Sequence, residues 1–180
     1  MSRVLCCVLC CAPPAVIEKS ILALPLHHKD SLSAASNFLS VFLEHGIDSP
    51  RAFKTRIGPV VDKHRAVIVA CVAYFGPQIA QVLVSNIAFA LPTYRLPMMT
   101  GLMENMLALC KQHPHPAQLP VGEWFAKALA PLPQTVDPTK EEFLADVLHH
   151  FQPHTGRWEW LKESILRFAD AVRILQQAPR

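Results

Sequence analysis

Along most of this chain the apolar residues recur at helical spacing. Ile79, Val82, Leu83 and Ile87 fall on one face, with Gln78, Gln81 and Ser85 opposite. Met99, Leu102, Met103, Met106, Leu109 and Cys110 make a second stripe, with Thr100, Glu104 and Lys111 on its far side. Between the two lies the short connection Leu91-Pro-Thr-Tyr-Arg-Leu-Pro97. So short a link turns the chain back, which predicts an antiparallel pair. Each apolar face is too wide for its partner alone to bury, so further pairs are expected to flank it.

The same spacing predicts helices elsewhere. Ala15 to Leu24 turns Val16, Ile17, Ile21 and Leu24 inward and ends at Pro25. The next helix, capped by Asp30 or Ser31 and closed by Gly46, carries Leu32, Ala35, Phe38, Leu39 and Phe42 opposite Ser33, Ser36, Asn37 and Ser40. Ser49-Pro50 opens a short basic helix. Gly58-Pro59 starts a longer one through Phe75, striped by Val60, Val61, Val67, Ile68, Cys71, Val72 and Phe75. No polar face remains on it from Ala66 onward, so cover is expected on both sides. Gly76-Pro77 is expected to end it.

Towards the C-terminus, Val121 to Leu129 is anchored by Trp124, Phe125, Ala128 and Leu129. Asp137-Pro138 opens a helix with Glu141 and Glu142 in its first turn, where the helix dipole favours negative charge, and with Phe143, Leu144, Val147 and Leu148 packing. A terminal helix from about Arg157 sets Leu161, Ile165, Phe168, Val172 and Leu175 along a narrow seam; Trp158 and Trp160 point to different sides. No run alternates as a half-buried strand must. The prediction is an all-α fold of about eight helices, in which the 16 prolines punctuate rather than interrupt.

Composition narrows the function classes. With 51% hydrophobic and 17% charged residues, the 180-residue chain has ample core, and some surface is left expecting a neighbour. A net charge of +3 is too mild for the concentrated basic stripe of a nucleic-acid binder. The longest uninterrupted apolar run, Ala66 to Phe75, is far short of the ~20 residues that a bilayer span needs.

Residues 1-13 form a separate segment holding Cys6, Cys7, Cys10 and Cys11. A secretory signal, a zinc half-site and a palmitoylation site all fit it poorly. Its apolar run is short and interrupted, no second cysteine pair with ligand spacing follows, and no membrane segment adjoins. Residues 14-180 are expected to form the folded unit. Its Cys71 and Cys110 lie on apolar stripes, where a thiolate is disfavoured, so no catalytic residue is assigned. The nine histidines, chiefly His27, His28, His113, His115, His149, His150 and His154, lie in loops and at helix ends without a ligand pattern, and His64 reads as an edge-of-core residue. Neither a metal nor a cofactor is expected.

Basic residues concentrate once, in Arg51, Lys54, Arg56, Lys63 and Arg65, with Asp62 as the only acid among them. Such a cluster is either a solvated helix face or a surface that pairs with carboxylate or phosphate.

Four stretches carry a resemblance. Ile79 to Pro97, with its Leu-Pro-Thr-Tyr-Arg-Leu-Pro connection, and Trp124 to Pro133 resemble the late helical repeats of the importin-β family of nuclear import receptors, in its transportin-SR branch. Val60 to Ala70 and Leu22 to Leu26 are closer to the importin thirteen members of that branch. The similarity runs in order over roughly residues 16 to 175 and leaves Met1 to Pro13 without a counterpart.

The resemblance implies a HEAT-type α-solenoid segment, the C-terminal part of a longer receptor shuttling between cytoplasm and nucleus. Protein cargo, including arginine-serine splicing factors with phosphorylated segments, is the implied partner. The cluster from Arg51 to Arg65 is the expected contact, although the branch's arginine-rich cargo helix has no match here. Ran-GTP would bind only through repeats outside this chain, and neither nucleic acid nor membrane is expected as a partner. The competing expectation is a free-standing helical adaptor for one peptide or protein partner. It predicts a polar amino-terminal surface, whereas a receptor segment predicts an apolar one around Val16, Ile17 and Ile21.

Overall fold

Helical periodicity is what the backbone follows. A computed structural model of the chain describes residues 14–26, 28–47, 60–113, 115–133, 137–150 and 158–177. Among them are seven α-helices and no strand. These are α1 (Pro14–Ala23), α2 (Lys29–Glu44), α3 (Val60–Ser85), α4 (Leu96–Gln112), α5 (Val121–Leu129), α6 (Asp137–Ala145) and α7 (Trp158–Gln177). The expected short basic helix lies outside the described residues.

The helix α3 does not stop at Gly76-Pro77 but runs through it, with Pro77 inside. An interior proline costs a hydrogen bond and about 3 kcal/mol. The tertiary packing explains why the helix continues. A Cβ on Gly76 would come within 2.7 Å of Trp124 Cε3, so the indole of α5 rests directly on the backbone of α3 at this point. That seat exists only while α3 is continuous. Ile68, Val72, Phe75, Ile79 and Leu83 are buried along its length. Cover is one-sided, however: Ala66, Val67, Ala70, Ala73 and Tyr74 are exposed. Among the described residues no element packs over that face, so the cover on both sides expected from its lack of polar residues is not seen there.

Continuity also removes the length argument against a membrane span. By length and composition alone, Arg65–Phe89 is apolar enough to cross a bilayer, as core helices also can be; 44% of its most apolar stretch is buried in the molecule.

The relative directions of the helices follow from individual contacts. Gly46, just after α2, is approached by both Leu109 Cδ1 (2.8 Å from its would-be Cβ) and Ile68 Cγ2 (2.9 Å), so the start of α3 meets the end of α4. Asn86, just past α3, reaches Met99 near the start of α4 at 3.8 Å. Helices α3 and α4 therefore run in opposite senses, as the short connection predicts, although α3 packs mainly on α5 and α4 mainly on α2 and α7. In contrast, α2 and α4 run parallel, since Ser36 Oγ donates to Met98 O at 3.2 Å and Asn105 Nδ2 donates to Ser40 Oγ at 2.8 Å. Ser36 and Ser40, which read as part of a polar face of α2, are thus interface residues, small enough for two helices to come close. Gly46 ends α2 for the same reason of space and not for a left-handed turn; the backbone that caps the helix is His45.

Several predicted stripes are buried as expected, among them Trp124, Phe125, Ala128 and Leu129, and Leu161, Ile165, Phe168 and Val172. Thr100 is buried too, against expectation, because α4 is central and has core contacts nearly all round. At the C-terminal end α6 and α7 are antiparallel, joined by the stacked Phe143 and Phe168 rings (4.4 Å) and by Arg167, which donates to Glu142 Oε1 at 3.0 Å and Asp146 Oδ2 at 2.9 Å.

Candidate functional site

The basic cluster falls mostly beyond view: Arg51, Lys54 and Arg56 lie outside the described residues, as does the side chain of Lys63. Arg65 is half-buried and already engaged. Three other places show what the fold presents.

The first is the outer face of α1 and α2. Ile17, Ile21 and Leu24 turn inward as predicted, but Val16 is 41% exposed, and Leu22 (58%) and Leu26 (49%) are exposed as well. Val16, Ala15, Ala23 and Ala34 line an open, largely apolar depression of about 530 Å³, with Lys19, Ser20 and Ser31 among the other residues lining it. Of the apolar amino-terminal surface expected of a receptor segment around Val16, Ile17 and Ile21, only Val16 is exposed, and Ile17 and Ile21 belong to the core. The cap of α2 is His28, in place of the expected Asp30 or Ser31. Its Nδ1 accepts the Ser31 amide at 3.4 Å because the helix begins one residue earlier than the acidic side chain.

The second is the connection between α3 and α4. It starts with a π-helical turn, Asn86–Ala90, passes through extended Leu91 and Pro92, and makes one 3-10 turn, Thr93–Arg95. Asn86 is fully buried, and its Nδ2 donates to Leu24 O at 3.1 Å, tying the end of α1 to the end of α3. The widened turn leaves backbone carbonyls without helical partners. Arg173, from the last helix, supplies them: its guanidinium donates to Leu91 O, to Ile87 O at 3.4 Å and to Thr93 Oγ1 at 2.6 Å. Around this clamp Phe89 (46%), Tyr94 (76%) and Ile174 (68%) are exposed. Sequence reasoning singled out the connection but not Arg173, which lies 80 residues further on.

The third comprises groups with reactive potential. Burial pushes the Cys110 thiol up to about 12 and raises that of Cys71 less far, so neither carries a ready thiolate. The ring of His113 is used locally, accepting the His115 amide on Nδ1 at 3.2 Å. Among the described residues no three His, Cys, Asp or Glu side chains gather as a metal would need.

No protein-family model matches this sequence, and no curated protein matches it either.

Proposed function

We propose that this chain is a HEAT-type helical-repeat segment of a nuclear import receptor of the importin-β family and acts by holding protein cargo, without catalysis. The observation that carries this is the stacking sense. Helices α2 and α4 run parallel, and α3 runs opposite to α4, the directions that successive hairpins adopt when an array repeats by translation. The exposed apolar face of α1–α2 supports the same reading, because a further hairpin stacked in the same sense would cover it.

In this reading the cargo is a protein with acidic or phosphorylated segments, the arginine-serine splicing factors being the class implied by the resemblance. Arg51, Lys54, Arg56, Lys63 and Arg65 provide the charge, Ran-GTP binds elsewhere on the longer receptor, and the protein shuttles between cytoplasm and nucleus. The test is binding of a fluorescent phosphorylated arginine-serine peptide, with and without Arg51→Glu, Lys54→Glu and Arg56→Glu together. Binding of the phosphopeptide alone, lost in the triple variant, is expected. Equal binding by the variant would remove the basic cluster from the proposal. Failure of every phosphorylated or acidic peptide to bind would remove the cargo role.

A further inference from the structure

The clamp at the α3–α4 connection has an electrostatic property that its structural role leaves unused. Among the described residues the hydrogen bonds of Arg173 go to neutral oxygens, those of Leu91, Ile87 and Thr93, and no carboxylate pairs with it. A full positive charge is thus held in a fixed orientation by backbone carbonyls, directly against an exposed hydroxyl. Leu91 and Pro92, immediately before the hydroxyl, are extended, with ψ of 138° and 151°.

We propose that Thr93 is a phosphorylation site and that Arg173 receives the phosphate, tightening the hold of α7 on the α3–α4 connection. A protein kinase transfers the γ-phosphoryl group of ATP to Thr93 Oγ1. The new Oγ1–P bond replaces the bond from that phosphorus to ADP, and the hydroxyl proton passes to the kinase's base. The phosphate oxygens then stand one bond further out from Oγ1, within reach of a guanidinium that is already 2.6 Å away. Two contacts to backbone carbonyls keep Arg173 in place while the third, from a donor that is already charged, gains a charged acceptor and becomes an ion pair, which is stronger. The C-terminal helix, now attached to the connection through a neutral hydroxyl, becomes attached through an ion pair.

The test uses the whole chain with phosphothreonine incorporated at position 93, beside the unmodified chain and the phosphorylated peptide 91–97. The phosphorus-31 titration midpoint is expected to fall about half a unit below that of the peptide, because a paired guanidinium favours the dianion. The melting temperature is expected to rise by about 3 °C. Arg173→Gln should abolish both changes; should that variant fail to fold, Arg173→Lys, which keeps the charge and loses the fork, should reduce both. A midpoint equal to the peptide's, or a melting temperature no higher than that of the unmodified chain, would overturn the clamp. Phosphopeptide mapping of the protein recovered from cells under phosphatase inhibition should find phosphate on Thr93. Recovery with Thr93 unmodified would overturn its assignment as a site. Millimolar inorganic phosphate that reproduced the full thermal gain on the unmodified chain would overturn the covalent reading in favour of a free anion.

Discussion

Glycine makes the residue scale concrete, because one substitution has opposite consequences at two helical positions. At Gly76 an added methyl meets the rigid Trp124 ring, which has nowhere to move in the core. Gly76→Ala should destabilise by about 2 kcal/mol, the cost of overpacking, read as a lower denaturant midpoint at unchanged slope. At Gly101, inside α4, nothing lies within 4 Å of the added atom. Gly101→Ala should stabilise by about 1 kcal/mol through helix propensity and a less disordered unfolded chain.

Cys110 yields a pH dependence whose sign is set by burial. Its thiol is pushed up to about 12 in the folded chain from an ordinary 9.0, so both states keep the proton below pH 9 and stability there is indifferent to this group. Above pH 9 only the unfolded chain ionises, and stability falls by up to about 1.4 kcal/mol per pH unit until the buried thiol also titrates. Unfolding free energies of the chain and of Cys110→Ala, compared between pH 8 and 10.5, should diverge in slope by about 2 kcal/mol over that interval. Parallel curves would mean that the thiol is accessible.

At the scale of elements, the connection after α3 is held by a helix distant in sequence. Arg173→Ala removes three hydrogen bonds and leaves two carbonyls beneath α7 without a donor. The expected loss is about 2 kcal/mol. Hydrogen exchange should accelerate at Leu91 and in the last turns of α7 while α5 remains protected. Uniform acceleration would mean that the clamp belongs to one global unit. Element boundaries follow the same logic. A proline reads as a stop when only its own backbone is considered, yet Trp124 needs an unbroken α3 and the helix runs on. The serines of α2 read as solvent-facing, yet Ser36 and Ser40 meet α4.

For the whole molecule the consequential surface is the α1–α2 face. An open apolar depression with a 41% exposed valine on its wall is the kind of patch that recruits a neighbour. The chain on its own is expected to self-associate at tens of micromolar in sedimentation equilibrium. Val16→Lys with Ala34→Lys should return it to a monomer with unchanged melting temperature, since both side chains are exposed. A monomer at every concentration before substitution would show that this face needs no cover.

The amino-acid pattern by itself determined that the chain is helical, and it placed most of the buried stripes. It located the α3–α4 connection and the antiparallel turn that so short a link imposes. These are local properties: a side chain's face on a helix is set by its position modulo the helical repeat, and a short link leaves few ways to continue. Only the tertiary structure decided which stripe residues stay uncovered, as at Val16 and Val67, and why Thr100 is buried. It alone revealed that Pro77 lies within a helix and that Arg173 closes a turn 80 residues away. Each of these depends on which elements become neighbours, and neighbours are chosen by the shapes and free polar groups of surfaces that have no fixed separation along the chain.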